Sequence, residues 1–138
     1  MIKAEKISSD QIKIALEIRT RVFVQEQGVT KDEEDDGKDP ICSHYLVFFN
    51  NKPVGTARLR YLDNQAKIER VAILKNFRGY GIGKTLMIYI IDSITGVKEI
   101  ILSSQINVIK FYEKLGFEPF GDEYYDARIP HRDMKKLL

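Results

Sequence analysis

The chain has 138 residues, 43% of them apolar and 30% charged, the make-up of one ordinary globular domain with no room for two. Its 22 basic and 20 acidic residues leave a net charge of +2, too small for the basic field of a dedicated nucleic-acid binder. No apolar run nears the ~20 residues of a membrane span, the start lacks a signal peptide's apolar segment, and a lone Cys42 excludes an intrachain disulfide, so a cytoplasmic protein is expected.

No repeat, low-complexity tract or linker divides the sequence, and one domain over 1–138 is expected. Residues 2–7 alternate as a short strand. Ser8 and Gln11 have the spacing of a capping box, and Ala15, Ile18 and Val22 with Ile12, Leu16 and Phe23 predict a helix from about 9 to 25, closed by Gly28. Residues 32–39 follow as a loop with six acids against one lysine, a local net charge of −5. Its plain reading is solvated surface. Beside an acceptor cleft it would instead draw in cations such as polyamines or basic peptides.

Three strands come next: His44 to Phe49, Val54 to Leu62 and Ala66 to Leu74, separated by Asn50-Asn51-Lys52-Pro53 and Asp63-Asn64. Short turns predict an antiparallel meander. Alternation in the third strand puts Lys67, Glu69, Val71 and Ile73 on one face. Arg78-Gly79-Tyr80-Gly81-Ile82-Gly83 then opens a helix with Ile82, Leu86, Ile90 and Ile94 in a stripe, ended by Gly96. Glu99 to Ser103 reads as a buried strand, 106–114 as a helix ending at Gly116, and 117–137 as a hairpin. A strand–helix–strand passage implies one parallel pair joined by a right-handed crossover. The fold class is therefore mixed α/β (α+β), a mostly antiparallel sheet with helices on both faces.

Three glycines at alternating positions before a helix start let backbone amides converge on an anion, and phosphate is the physical reading. A P-loop needs four residues between its first glycine and Gly-Lys-Thr, whereas Gly79 to Gly83-Lys84-Thr85 leaves three. A dinucleotide fingerprint needs glycine where Lys84 stands. Arg78, Gly81 and Gly83 do complete the pattern Arg/Gln-x-x-Gly-x-Gly/Ala, after the strand Ile68-Glu69-Arg70-Val71-Ala72-Ile73. With Asn107 and Phe111-Tyr112-Glu113-Lys114-Leu115-Gly116-Phe117 downstream, the chain resembles the GNAT superfamily of acetyl-CoA-dependent N-acetyltransferases along nearly its whole length. Arg19 to Gln27, the acidic loop with Asp36, and Ile129-Pro130-His131 before Met134 look like its ElaA/YjcF-like branch.

The resemblance implies the acyl-CoA N-acyltransferase fold with a splayed parallel strand pair, and acetyl-CoA as co-substrate. Amides of Arg78, Gly79, Tyr80, Gly81, Ile82, Gly83 and Lys84 would cradle its pyrophosphate. The backbone of Val71, Ala72 and Ile73 would pair with the pantetheine arm, with an amide near Val71 polarising the acetyl carbonyl. Tyr112 matches the family's general acid for the departing thiolate. Asn107 would cap its helix, contact the pantetheine, or both. Glu69 is the candidate general base, directly or through a water, with Glu26 a weaker candidate for the acceptor pocket. His44 and His131 lack metal-ligand spacing, so no metal is expected; His131 would either line the acceptor site or make a structural hydrogen bond. Cys42 has no activating partner.

An N-acetyltransferase acting on a primary amine by direct attack is the leading expectation. A non-catalytic acyl-CoA-binding sensor and an acyltransferase with another acyl donor are the alternatives. No nucleic-acid or membrane partner is expected. The acceptor is a small molecule or peptide that the sequence does not identify, and dimers are common among similar proteins.

Overall fold

The computed structural model describes residues 1–138. Strands β1 (Ile2–Ile7), β2 (Ser43–Phe49), β3 (Lys52–Leu62) and β4 (Gln65–Ile73) form the expected antiparallel meander. β5 (Glu99–Gln105) runs parallel to β4. The hairpin of β6 (Glu118–Asp126) and β7 (Ile129–Leu137) completes a seven-stranded sheet in the order β1-β2-β3-β4-β5-β7-β6. Val54 to Leu59 of β3 are buried without a break. Successive side chains of a strand point to opposite faces, so both faces of the sheet centre are covered. Helices α1 (Ile12–Arg19) and α3 (Ile82–Ser93) supply that cover, both packing on β2, β3 and β4. The predicted stripe of α3 is all buried: Ile82, Leu86, Ile90 and Ile94.

The first predicted helix covers the right residues with an unpredicted geometry. A 3-10 turn at Ser9–Gln11 leads into α1, and Thr20–Glu26 continues as a π-helix. Apolar residues four apart suit either winding over one or two turns, so periodicity alone does not separate them. The segment 32–39 is not a plain loop. Lys31–Glu34 form a one-turn helix, α2, capped by Thr30, whose Oγ1 accepts from the Glu33 amide at 3.1 Å. The fourth helix, α4 (Ile109–Glu113), follows a 3-10 turn at Ile106–Val108.

The acidic segment folds inward. Arg19 and Arg58 are the largest of the almost fully buried side chains, 1% and 0% exposed. Arg19 donates to Glu34 (2.8 Å) and Asp39 (2.8 Å), and Arg58 to Asp39 (2.8 Å) and Asp36. Arg70 adds bonds to Glu34 Oε2 (2.8 Å) and the Glu34 carbonyl (3.0 Å). Glu69 sits between Arg58 (3.4 Å) and Arg60 (2.8 Å). Four arginines thus face four carboxylates, and three of the six acids of residues 32–39 are neutralised against the sheet. The expected cation-attracting field is reduced for that reason.

A hydrogen bond from Arg58 holds the Asp36 carboxyl well below the usual aspartate range. Burial pushes Asp39 up, but bonds from Arg19 and Arg58 outweigh it and hold that carboxyl low as well. Carboxyls lowered by folding stabilise the native state above their ordinary value of 3.8. That contribution fades as pH falls from there through the lower folded values. The thermal midpoint should therefore drop steeply below about pH 4, and Asp36→Asn should lower the neutral midpoint while flattening the acid drop. Arg58→Ala, which strands buried carboxylates, should cost about 3–5 kcal/mol in denaturant unfolding.

Candidate functional site

β4 and β5 pair over only three positions: Gln65 with Glu99, Ala66 with Ile100 and Lys67 with Ile101. Beyond them the strands separate. β5 keeps its other neighbour to the end, through Gln105 opposite His131, and β4 stays paired with β3 as far as Ile73 opposite Gly55. Peptide groups of β4 beyond Lys67 therefore lack a strand partner on the β5 side. A cleft of about 1360 Å³ opens there. Its walls come from the π-helical segment, α2, β4, the loop into α3, the start of α4 and the β6–β7 hairpin.

The uninterrupted alternation predicted for β4 is broken by a bulge. Arg58 pairs with Glu69 and Thr56 with Ala72, so Arg70 and Val71 together face Ala57. Arg70 takes φ 57°, a left-handed conformation unusual outside glycine. Its bonds to Glu34 offset a strain of about 1–3 kcal/mol. Lys67, Glu69, Val71, Ala72 and Ile73 all line the cleft. Behind them β3 approaches so closely that a Cβ on Gly55 would lie 2.5 Å from Ile73 Cδ1, and only glycine fits.

At the cleft's other wall Gly81 occupies the cap of α3 at φ 79°, with open space where a Cβ would stand. The first helical bond runs from the Thr85 amide to the Gly81 carbonyl (3.1 Å). The amides of Ile82, Gly83 and Lys84 thus have no acceptor within the helix and are free to meet an anion. A Cβ on Gly83 would sit 3.3 Å from Phe111, so that glycine lets α3 and α4 pack closely. Arg78 spends its guanidinium on Glu26 (2.6 and 2.7 Å) and the Ile73 carbonyl (2.9 Å), tying this loop to the π-helical segment. Of the expected loop residues, Tyr80 is the one absent from the cleft wall. Its exposed ring leans instead on Phe49.

Tyr112 and Asn107 line the same cleft. Tyr112 is 7% exposed, and burial raises its hydroxyl above the ordinary tyrosine value. Asn107 lies within the 3-10 turn and caps neither that turn nor α4, which leaves its side chain to the cleft. Burial pushes the Glu69 carboxyl up, but the Arg60 bond and the charges of Arg58 and Lys67 prevail and hold it low. Glu26, held low by Arg78, also lines the cleft. His44 lies outside it, its Nε2 against the Asp39 carbonyl at 2.9 Å. Burial raises the Cys42 thiol, so it is not an activated nucleophile. No group of three or more His, Cys, Asp or Glu residues is placed to hold a metal.

The sequence did not single out Tyr124 and Ser103, which line the cleft beside His131. The Tyr124 hydroxyl donates to Asp133 (2.6 Å) and is hydrogen-bonded to the Ser103 hydroxyl. Burial and Asp133 push it up to about 12. Gln105 Nε2 donates to Gln27 Oε1 (2.9 Å), joining β5 to the chain just after the π-helix. Ser103, Tyr124 and Asp133 share no motif in sequence, and only the hairpin's return alongside β5 assembles them.

Residues 4–138 match the family described as the acetyltransferase (GNAT) domain. The chain is 36% identical to YjcF of Bacillus subtilis, named as an uncharacterized N-acetyltransferase, over 94% of each protein. It superposes on the crystal structure of Escherichia coli ElaA with a TM-score of 0.86 and 28% identity, covering 99% of both chains. A GNAT acetyltransferase from Elizabethkingia anophelis, solved with acetyl-CoA bound, shares the fold at a TM-score of 0.75 and 16% identity, over 99% and 98% of the two chains.

The Glu26–Arg78 pair is half-exposed, and such pairs add at most about 1 kcal/mol to stability. Glu26→Gln should therefore leave the unfolding midpoint nearly unchanged. Hydrogen exchange of the amides from 78 to 84 should still quicken, because Arg78 loses its charged partner and keeps only its bond to the Ile73 carbonyl and a neutral acceptor. Unchanged exchange would mean that the loop is held by its own backbone.

Proposed function

The chain belongs to the acetyltransferase (GNAT) domain family and is an acyltransferase, and from that premise we propose that it moves an acetyl group from acetyl-CoA to a primary amine by direct attack. The observation that carries this reading is the early separation of β4 from β5 beside an open glycine turn. An extended pantetheine arm can complete the unpaired edge of β4 at Val71, Ala72 and Ile73, as an added strand would. Free amides from Gly79 to Lys84 suit its pyrophosphate, and the empty space over Gly79 and Gly81 admits it. An amide near Val71 is suited to polarise the acetyl carbonyl. Asn107 contacts the arm from the opposite wall.

In the transfer step the amine nitrogen forms a bond to the carbonyl carbon and the carbon–sulfur bond breaks, its electron pair leaving with sulfur. Tyr112 supplies the proton that turns the thiolate into a thiol. The nitrogen, which enters as an ammonium group, loses two protons on its way to an amide. Glu69 receives the first through a water before attack; its arginine partners keep it ionised, ready to accept, while making it a weak base. Nothing in this scheme needs a covalent enzyme intermediate. The acceptor enters from the end of the cleft bounded by Glu26, α2 and the β6–β7 turn. A single raised thiol, Cys42, suits a cytoplasmic setting.

Thermal unfolding with acetyl-CoA, CoA, ATP and NADH tests the donor. Both CoA species should raise the midpoint, with little effect of ATP or NADH, and no response to CoA would overturn the reading. Gly81→Val should weaken that response, since its side chain is strained at positive φ and fills the open space. Tyr112→Phe should lower kcat by ~10²-fold with acetyl-CoA affinity unchanged; an unaltered kcat removes Tyr112 from the chemistry. Strong acetyl-CoA binding without acetylation of any amine would favour a non-catalytic acyl-CoA sensor.

A further inference from the structure

His131 lines the cleft from β7 and is paired in register with Gln105, the last residue of β5. One ring nitrogen, Nδ1, lies 2.7 Å from the Ile129 carbonyl. A carbonyl oxygen can only accept, so Nδ1 carries the hydrogen, and in the neutral ring the lone pair is left on Nε2. Nε2 has no protein partner, yet it is not among the buried polar atoms left without one. It is therefore accessible, on a residue that lines the cleft. The ring is stacked on Tyr124 at 6.0 Å between centroids and 20° between planes. Tyr124 is in turn fixed by Asp133 and Ser103. The Nδ1 bond and the stacked Tyr124 ring together hold the lone pair in one direction.

Register gives its level along the cleft. Lys67 and Ile101 are the last parallel pair. Four residues further, β4 reaches Val71 and β5 reaches Gln105, whose partner on β7 is His131. Counting along both strands, and allowing one residue for the bulge at Arg70–Val71, His131 lies at about the level of Val71 and lines the same cleft. Glu69, two residues earlier, is surrounded by Arg58, Arg60 and Lys67. A neutral imidazole with a free nitrogen lone pair is intrinsically a stronger base than a carboxylate tied to arginines.

We infer that His131 Nε2 is the base that takes the second proton of the acceptor nitrogen. This inference rests on the amine-acetylating reading above. As the nitrogen–carbon bond forms, the nitrogen becomes positively charged and gives one N–H proton to Nε2. The carbon–sulfur pair leaves with sulfur, which takes the Tyr112 proton. The imidazolium then loses its proton to water, Tyr112 regains one from water, and one proton is released overall once that held through Glu69 is counted.

The test compares the wild type with His131→Asn and His131→Ala on a panel of small primary amines. Asparagine keeps an N–H that can reach the Ile129 carbonyl but provides no base. His131→Asn should keep the acetyl-CoA-induced rise in unfolding midpoint while its kcat falls by ~10²-fold, and added imidazole should restore part of the rate of His131→Ala. A folded His131→Asn protein with wild-type kcat overturns the inference and leaves the acetyltransferase reading standing. A wild type that acetylates no amine overturns both. If neither variant folds, nitrogen-15 NMR of the wild-type ring decides: an Nδ1–H tautomer supports the inference, and an Nε2–H tautomer refutes it.

Discussion

A parallel strand pair that stops after three positions leaves peptide groups without partners in the middle of a sheet, and the rest of this structure answers that constraint. Unpaired backbone polar groups are tolerated only where water or a ligand reaches them. The gap must therefore stay open, and the walls on either side must be stiff enough not to close it. On the β4 side the stiffness comes from the bulge at Arg70, which aims a guanidinium at Glu34, and from β3 pressed so close at Gly55 that no Cβ fits. On the β5 side it comes from β7, which pairs with β5 over its full length. Across the mouth Arg78 and Glu26 join the loop before α3 to the π-helical segment.

The arginine–carboxylate group is the more unusual support. Two arginines with almost no exposure would be very costly to bury alone, so each has at least two carboxylate partners. Replacing such a group by apolar residues is often no less stable, so stability is a weak reason for it. Its geometry suggests another function. A run with a net charge of −5 would stand off from the sheet in water. Bonded to Arg19, Arg58 and Arg70, it is held down as a fixed wall of the cleft. Arg58 Nε remains without a partner, as does Nδ1 of His44, whose Nε2 lies against the Asp39 carbonyl.

Much of this was legible in the sequence, and the part that was not has a physical cause. The meander, the α3 stripe and the glycine pattern follow from local rules: alternation, helical spacing, and the need for glycine at positive φ. Arg78, Gly81 and Gly83 could be read because their spacing is itself the chemistry. The inward turn of Glu34, Asp36 and Asp39 could not, because a charge run looks the same whether its partners are water or arginines 15 to 36 residues away. The π-helical winding was hidden because one extra residue per turn barely changes an apolar stripe over seven residues. The bulge at Arg70 was hidden because it disturbs a single step of an alternation otherwise intact. Tyr124 and Ser103 carried no local signal at all.

The two cleft tyrosines show how burial and bonding divide the labour. Tyr112 is raised by burial alone, whereas Tyr124 is raised by burial together with the Asp133 carboxylate that accepts its proton. Tyr124 is therefore committed to an acceptor and works as a support. Tyr112 has no such commitment and retains a proton to give. Its high value opposes the proposed transfer to a thiolate when the two are compared in water, since an ordinary thiol is more acidic than an ordinary phenol. The cleft changes the comparison. In the proposed transfer, a thiolate released beside Tyr112 would be desolvated by the same apolar wall, and desolvation penalises every anion placed there. What governs the transfer is the difference between the two groups in one environment, not either value in water. A wall that buries the donor and the leaving sulfur together narrows that difference, and the packing of Tyr112 between Phe111 and Phe117 builds that wall.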